Sequence, residues 1–187
     1  MENPADRFFV LTGGPGSGKT TLIEALKVKG YEAAPEAGRA VIRDQTASGG
    51  NALPWADRLL FAERMLAFDL HNYAEAREWS GPVFFDRGVP DVVGYLELSG
   101  LPVPPDTEKA ARSYRYASRV FVLPPWPEIF EQDAERRQSF AEAERTYRAM
   151  VAIYLRLGYE LVEVPHAPVN ERAEFLLARI RSAPRLS

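Results

Sequence analysis

Short blocks of large apolar side chains recur along the chain, each cut off by glycine, proline or aspartate. Phe8-Phe9-Val10-Leu11 stops at the glycines that begin at Gly13, and Pro82-Val83-Phe84-Phe85 stops at Asp86. Val120-Phe121-Val122-Leu123 runs into a proline cluster, and Leu161-Val162-Glu163-Val164 into Pro165. Continuous apolar runs of this length read as strands buried on both faces. Tyr31 to Ala34 is a weaker fifth, diluted by Glu32 and two alanines. Helical spacing fills the gaps. Thr20 to Lys29 ends at Gly30, a C-capping residue. Pro35 opens a helix that runs to Ser48 and breaks at Gly49-Gly50. A long helix is predicted from Trp55 to Trp79, with Leu59, Ala62, Leu66, Leu70 and Tyr73 on one face. Further helices are predicted over 106–117, 139–157 and 170–182. Strands that alternate with helices imply right-handed crossovers and a parallel sheet covered on both faces. The pattern therefore predicts an α/β fold of three layers, with ligands at the carboxyl ends of the strands.

Composition narrows the class. At 187 residues the chain is expected to form a single domain over 1–187. Its hydrophobic fraction of 46% is too high for a disordered protein. With no cysteine there is no disulfide scaffold, thiol nucleophile or thiolate metal site. Lys and Arg total 23 against 26 Asp and Glu, so 23 − 26 = −3. A net acidic chain is a poor candidate for non-specific binding to nucleic acid. No apolar run reaches the roughly 20 residues of a membrane span, and no secretory signal opens the chain. Cytoplasmic residence is the expectation.

The strongest chemical signal follows the first strand. Gly13-Gly14-Pro15-Gly16-Ser17-Gly18-Lys19-Thr20 fits the G-x-x-x-x-G-K-[ST] phosphate-binding loop. The glycines let backbone N–H groups turn inward, and those groups join the positive end of the next helix in cradling phosphates. Lys19 is placed to reach the β- and γ-phosphates, and the Thr20 hydroxyl to ligate Mg²⁺, a hard cation that prefers oxygen. The ATP-binding set extends to Thr21. At ordinary residue usage, about 0.01 accidental matches are expected in a chain of this length. The motif also lies between a predicted strand and a predicted helix, as it must.

Asp86 closes the third apolar run, which is the layout of the second metal-binding carboxylate in such proteins. It is followed by Arg87 where an ATP-driven machine more often carries a second acid, which favours a kinase over a hydrolase. Glu36 and Arg39 follow the second strand three residues apart, so they share a helix face. A carboxylate there can accept from a sugar hydroxyl, and an arginine there can bind a phosphate or carboxylate. A salt-bridged pair at a helix start explains the same two residues equally well.

These motifs, together with Ala134-Glu135-Arg136-Arg137 after the fourth strand, resemble P-loop kinases of the nucleoside and nucleoside-monophosphate kinase type. The chain is similar to small bacterial AAA-type ATPases built like kinases. The Glu36 and Arg39 spacing also resembles the nicotinamide riboside kinase group. The resemblance implies a three-layer P-loop NTPase fold with about five parallel strands. It implies a lid over about residues 127–139 whose Arg136 and Arg137 close on the transferring phosphoryl group. Catalysis would fall to Lys19, Asp86, Arg136 and Arg137, and metal binding to Thr20 and Asp86. Glu36, Arg39 and Arg87 would hold the acceptor, and the loop Pro165 to Asn170 would pack the adenine.

The implied activity is transfer of the γ-phosphate of Mg·ATP to a small acceptor such as a nucleoside or nucleotide. The alternative is a nucleotide-dependent ATPase or regulator acting through a partner protein. A GTPase would need a base-reading motif after the fourth strand, where Leu123-Pro124-Pro125-Trp126 stands instead. The long helix at 55–79 offers a face for a homodimer.

Overall fold

The computed structural model describes residues 4–130 and 139–181. Five parallel strands form one sheet: β1 (Phe8–Gly13), β2 (Glu32–Ala34), β3 (Val83–Asp86), β4 (Arg119–Leu123) and β5 (Glu160–Glu163), in the order β2-β3-β1-β4-β5. The expected strands are all present. The register sets Phe8 beside Val83 and Leu11 beside both Asp86 and Phe121. The first strand is therefore central, and the chain changes direction around its carboxyl end, where an open α/β sheet makes its crevice.

Alternation along β1 divides the core. Phe8 and Val10 face one layer, with Phe85, Val120, Met150 and Ile153. Phe9 and Leu11 face the other, with Leu22, Leu26, Phe121 and Leu176. The second layer is α1 (Lys19–Val28) against α7 (Val169–Arg181). The first is built from α3 (Arg58–Ala76), α4 (Val89–Leu98), α5 (Pro105–Ser113) and α6 (Phe140–Arg156). A third cluster joins α2 (Ala37–Ser48) to α3 and α4 through Val41, Ile42, Phe61, Met65, Val92 and Leu96.

Several boundaries differ from the expected ones for local reasons. The long helix starts at Arg58, not Trp55, because the Asp57 side chain caps it by accepting from the Leu60 N–H at 3.0 Å. Its fully buried stripe is Phe61, Ala62, Met65, Asp69, Asn72 and Ala76, while Leu59 is exposed. Leu66, Leu70 and Tyr73 are partly buried against the sheet, so the helix has two inward sides. The helix placed at 106–117 ends at Ser113, which frees Tyr116 and Ala117 to enter the core.

Helix α4 has no counterpart in the expected elements, since Pro90 and Gly94 hide its pattern. Pro90 lies in the first turn, where no N–H is needed. Gly94 faces α6 so closely that a Cβ would come within 2.9 Å of the Met150 sulfur.

Candidate functional site

The loop after β1 runs through three positive-φ glycines, Gly13 at 143°, Gly16 at 69° and Gly18 at 80°. The Ser17 hydroxyl ties the loop to itself by donating to the Gly14 carbonyl at 2.9 Å. Lys19, the first residue of α1, is buried, whereas Thr20 and Thr21 are exposed on its first turn. The loop is wedged from three sides. A Cβ on Gly14 would lie 2.3 Å from the Ala143 carbonyl of α6, and one on Gly16 would lie 2.6 Å from the Phe130 ring. The Arg172 Nη1 of α7 donates to the Gly18 carbonyl at 3.4 Å. Because its neighbour is backbone, Gly14→Ala is expected to destabilise the fold by about 1–3 kcal/mol, read as a lower denaturant midpoint at unchanged slope. Gly30→Ala has nothing to strike and pays only its positive φ.

At the end of β3, Asp86 is buried beside β1. Arg87 then takes φ 73°, a left-handed backbone rare outside glycine, while its N–H donates to the Leu11 carbonyl at 3.0 Å. That turn swings the Arg87 side chain between two carboxylates. Its Nε donates to Glu36 Oε1 at 3.3 Å and its Nη1 to Asp91 Oδ1 at 3.1 Å. Glu36 Oε2 accepts from Arg39 Nε at 3.2 Å. The three residues expected at the acceptor, Glu36, Arg39 and Arg87, thus form one cluster. Glu36 is buried there and not part of an exposed surface pair. Burial opposes the Arg87 charge, but Glu36, Asp91 and Asp86 outweigh it and hold the guanidinium more firmly protonated than usual.

Asp91 is the hub behind this cluster. Besides Arg87 it accepts from the Thr12 hydroxyl at 2.5 Å, the Tyr154 hydroxyl at 2.7 Å and the Gly88 N–H at 3.0 Å. A buried carboxylate with this many donors is well compensated.

A cavity of about 340 Å³ lies beside the cluster, reached from Pro15 of the loop. Apolar side chains such as Ile42, Phe61 and Met65 line it, with Glu36, Asp69, Arg87 and Asp91 as its charged groups. Trp55 also lines it and is otherwise exposed.

Asp69, on the buried stripe of α3, is 4% exposed. Burial, then the like charges of Asp91, Glu36 and Asp86, push its carboxyl well above the usual range, with Arg87 pulling the other way. The buried phenol of Tyr116 faces it as well. A carboxyl held high keeps its proton longer in the native state than in the unfolded chain. Its contribution to stability therefore falls as pH rises from about 4 through the raised value. Asp69→Asn has no such titration, so its melting temperature relative to the parent is expected to climb across that window, as a pH series of thermal melts will read.

At the other end of the loop, Trp126 after β4 stacks on His166 after β5, with ring centroids 4.8 Å apart and planes 7° apart. Arg172 lies 5.4 Å over the Trp126 ring, and its buried Nε has no hydrogen-bond partner among the described residues. Trp126 and Arg172 thus connect the loop expected to pack the adenine to Gly18 of the glycine loop. Arg136 and Arg137, and most of the segment expected to form a lid, lie outside the described residues. Phe130 and Phe140 meet edge to face at 5.4 Å beside Gly16.

Asp69, Asp91, Trp126 and Arg172 were not singled out as site residues in the sequence. The signal for Asp69 was available as a carboxylate four residues after Met65, on a stripe whose only other polar residue is Asn72. The others are placed by tertiary packing and carried no local mark.

A glycine loop opening a helix at the central strand, with an acidic strand end beside it, defines a P-loop nucleotide-binding domain. The chain belongs to the AAA domain family, whose model matches residues 8–172. No curated protein matches it significantly. Solved structures show the P-loop fold of nucleoside and nucleotide kinases. Deoxyadenosine kinase from M. mycoides has a TM-score of 0.67 at 14% identity, over 94% of this chain and 99% of that one. NadR protein in complex with NR gives 0.72 at 17% identity, over 98% of this chain and 54% of that one. Thymidylate kinase from Ehrlichia chaffeensis gives 0.62 at 15% identity, over 95% and 100%.

Among the described residues, no helix is long and apolar enough to cross a membrane.

Proposed function

We propose that the protein is an ATP-dependent phosphotransferase acting on the hydroxyl of a small molecule held in the cavity beside the glycine loop. The observation that carries this reading is the cavity itself, which has Glu36 and Arg87 in its wall and Pro15 of the loop at its edge. An ATPase needs only water at that position and has no use for an enclosed organic pocket. The likeness in fold to deoxyadenosine and thymidylate kinases points the same way.

The loop amides and Lys19 bind the triphosphate. Glu36 accepts a hydrogen bond from the acceptor hydroxyl and takes its proton as the oxygen attacks the γ-phosphorus. The new O–P bond forms as the bond to the β-phosphate oxygen breaks, and ADP leaves. Arg87 fixes Glu36 in place. Arg136 and Arg137 close over the phosphoryl oxygens and exclude water, which would otherwise divert transfer into hydrolysis.

Mg²⁺ suits the donors available. The Thr20 hydroxyl and the Asp86 carboxylate are hard oxygens. Among the described residues no group of three or more His, Cys, Asp or Glu could hold a metal. When bound, it offsets charge on the phosphates.

The decisive assay is a panel of candidate acceptors with labelled ATP, scored for phosphorylated product above the ADP background. ADP formation without product on any acceptor moves the assignment to a nucleotide-dependent regulator. Asp86→Asn is expected to lower turnover by roughly 10²–10³ while ATP affinity changes far less, since loop amides carry most of that affinity. Turnover at saturating ATP and nucleotide binding by calorimetry separate the two effects.

A further inference from the structure

We propose that Asp91 is a positioning residue: pinned by the Tyr154 and Thr12 hydroxyls, it fixes the Arg87 guanidinium and, through it, aims the Glu36 carboxylate into the cavity. The last link rests on the phosphotransferase reading of that cavity. The earlier links stand on geometry and are tested without turnover.

Arg87 holds a left-handed backbone at φ 73°, a conformation costly for any residue with a Cβ. A glycine would take that turn freely, and one stands at the next position, Gly88, where φ is −151° and the backbone is extended. The glycine there meets a different need, since a Cβ would come within 2.9 Å of the Tyr116 ring. The chain thus keeps a side chain at the strained position, and that side chain is the one that bridges Glu36 and Asp91. Strain that its surroundings hold in place within a charged cluster points to a functional constraint.

Asp91 supplies the hold. Its Oδ1 accepts from Thr12 Oγ1 and Arg87 Nη1, and its Oδ2 from Tyr154 Oη and the Gly88 N–H. Four donors, from β1, the turn after β3 and α6, fill the accepting positions of a carboxylate, so it cannot rotate. The Gly88 contact is the ordinary cap of α4 and accounts for one of them. The Thr12, Tyr154 and Arg87 contacts are not needed for a cap. Stability does not call for them either, because a buried ion pair is often no better than apolar side chains of the same volume. Tyr154 shows this most clearly. Its ring is fully buried in the same core layer as Met150 and Ile153, where phenylalanine would pack as well, and its hydroxyl donates to Asp91. Once Nη1 is fixed, the planar guanidinium turns its Nε toward Glu36 Oε1, 3.3 Å away.

Exchange of the Arg87 Nε–H with solvent, followed by proton–nitrogen NMR, reads the geometry without turnover. The signal is identified by its loss in Arg87→Lys. In the wild-type protein it is expected to be protected, and Tyr154→Phe should speed its exchange about tenfold or more. Unchanged exchange in folded Tyr154→Phe overturns the assignment. Thr12→Val removes a second hydroxyl at nearly equal volume; it is read in the same way and decides if Tyr154→Phe fails to fold.

Turnover tests the last link. With an acceptor found by the panel, Tyr154→Phe should lower kcat for product about tenfold, while acceptor KM and slow ATP hydrolysis change about twofold or less. Combined with Glu36→Gln, it should cost nothing further, since a base that is gone cannot be misaimed. A loss that multiplies in the double variant assigns Tyr154 to packing alone and overturns the proposal. The two readings fail separately. Faster exchange with no product on any acceptor removes the phosphotransferase and keeps Asp91 as the group that fixes Arg87. Unchanged exchange with product formed does the reverse.

Discussion

Replacing Glu36 with glutamine is expected to lower the turnover of phosphoryl transfer by roughly 10²–10⁴, the usual contribution of a positioned general base. Glutamine has the same size and its one oxygen can still accept from Arg87, while its amide nitrogen gives up the contact with the partly exposed Arg39. What it loses is the charge and the basicity that take the hydroxyl proton. The effect should fall on kcat more than on the acceptor KM. Slow hydrolysis of ATP by adventitious water should persist, because that leak does not pass through the acceptor hydroxyl. A steady-state comparison of product and ADP reads both at once. Normal kcat in a folded Glu36→Gln variant would return the residue to a purely structural role, holding Arg87.

The second large effect is expected at Lys19. Lys19→Ala should reduce turnover at least about a hundredfold, comparable to removal of one preorganised donor from a developing oxyanion. The loop itself should survive, since its shape is held by the Ser17 to Gly14 hydrogen bond and by the contacts of Gly14, Gly16 and Gly18. The measurements are turnover at saturating ATP and a thermal melt of the same preparation. Near-normal turnover would remove the phosphate-binding assignment of the loop, and with it the rest of the mechanism.

Much of this molecule was legible in the sequence because its signals are local. Three buried strands, β1, β3 and β4, announce themselves as unbroken apolar runs, whereas β5 at the sheet edge is interrupted by Glu163 and only half-buried; the glycine loop lies between a strand and a helix as its chemistry demands. Glu36 and Arg39 were marked by spacing alone. The burial that decides between an active pair and a surface pair comes from Arg87, 51 residues later, through a left-handed turn. Helix α4 was illegible for a different reason. Its proline is harmless only because it falls in the first turn, and its glycine is needed only because α6 passes close by. Asp69 was obscured by a misreading of one helix. Phase arguments assume a single buried face, and α3 has two, one toward the sheet and one toward the cavity. The apolar face counted from Leu59 follows the first and passes over the side on which the carboxyl stands.

Helix α6 touches both the glycine loop and the cavity beside it. Its Ala143 carbonyl lies against Gly14 of the nucleotide loop, and one to two turns later its Thr146 and Met150 line the acceptor cavity. A helix is stiff over that distance, so a shift imposed at one end is delivered to the other. On the proposed function, nucleotide and acceptor binding would be thermodynamically linked through this helix, and the linkage would be reciprocal. Whatever factor nucleotide applies to acceptor affinity, acceptor must apply to nucleotide affinity. Ordered or synergistic binding in this protein would need no moving lid to explain it, only the rigidity of a single helix.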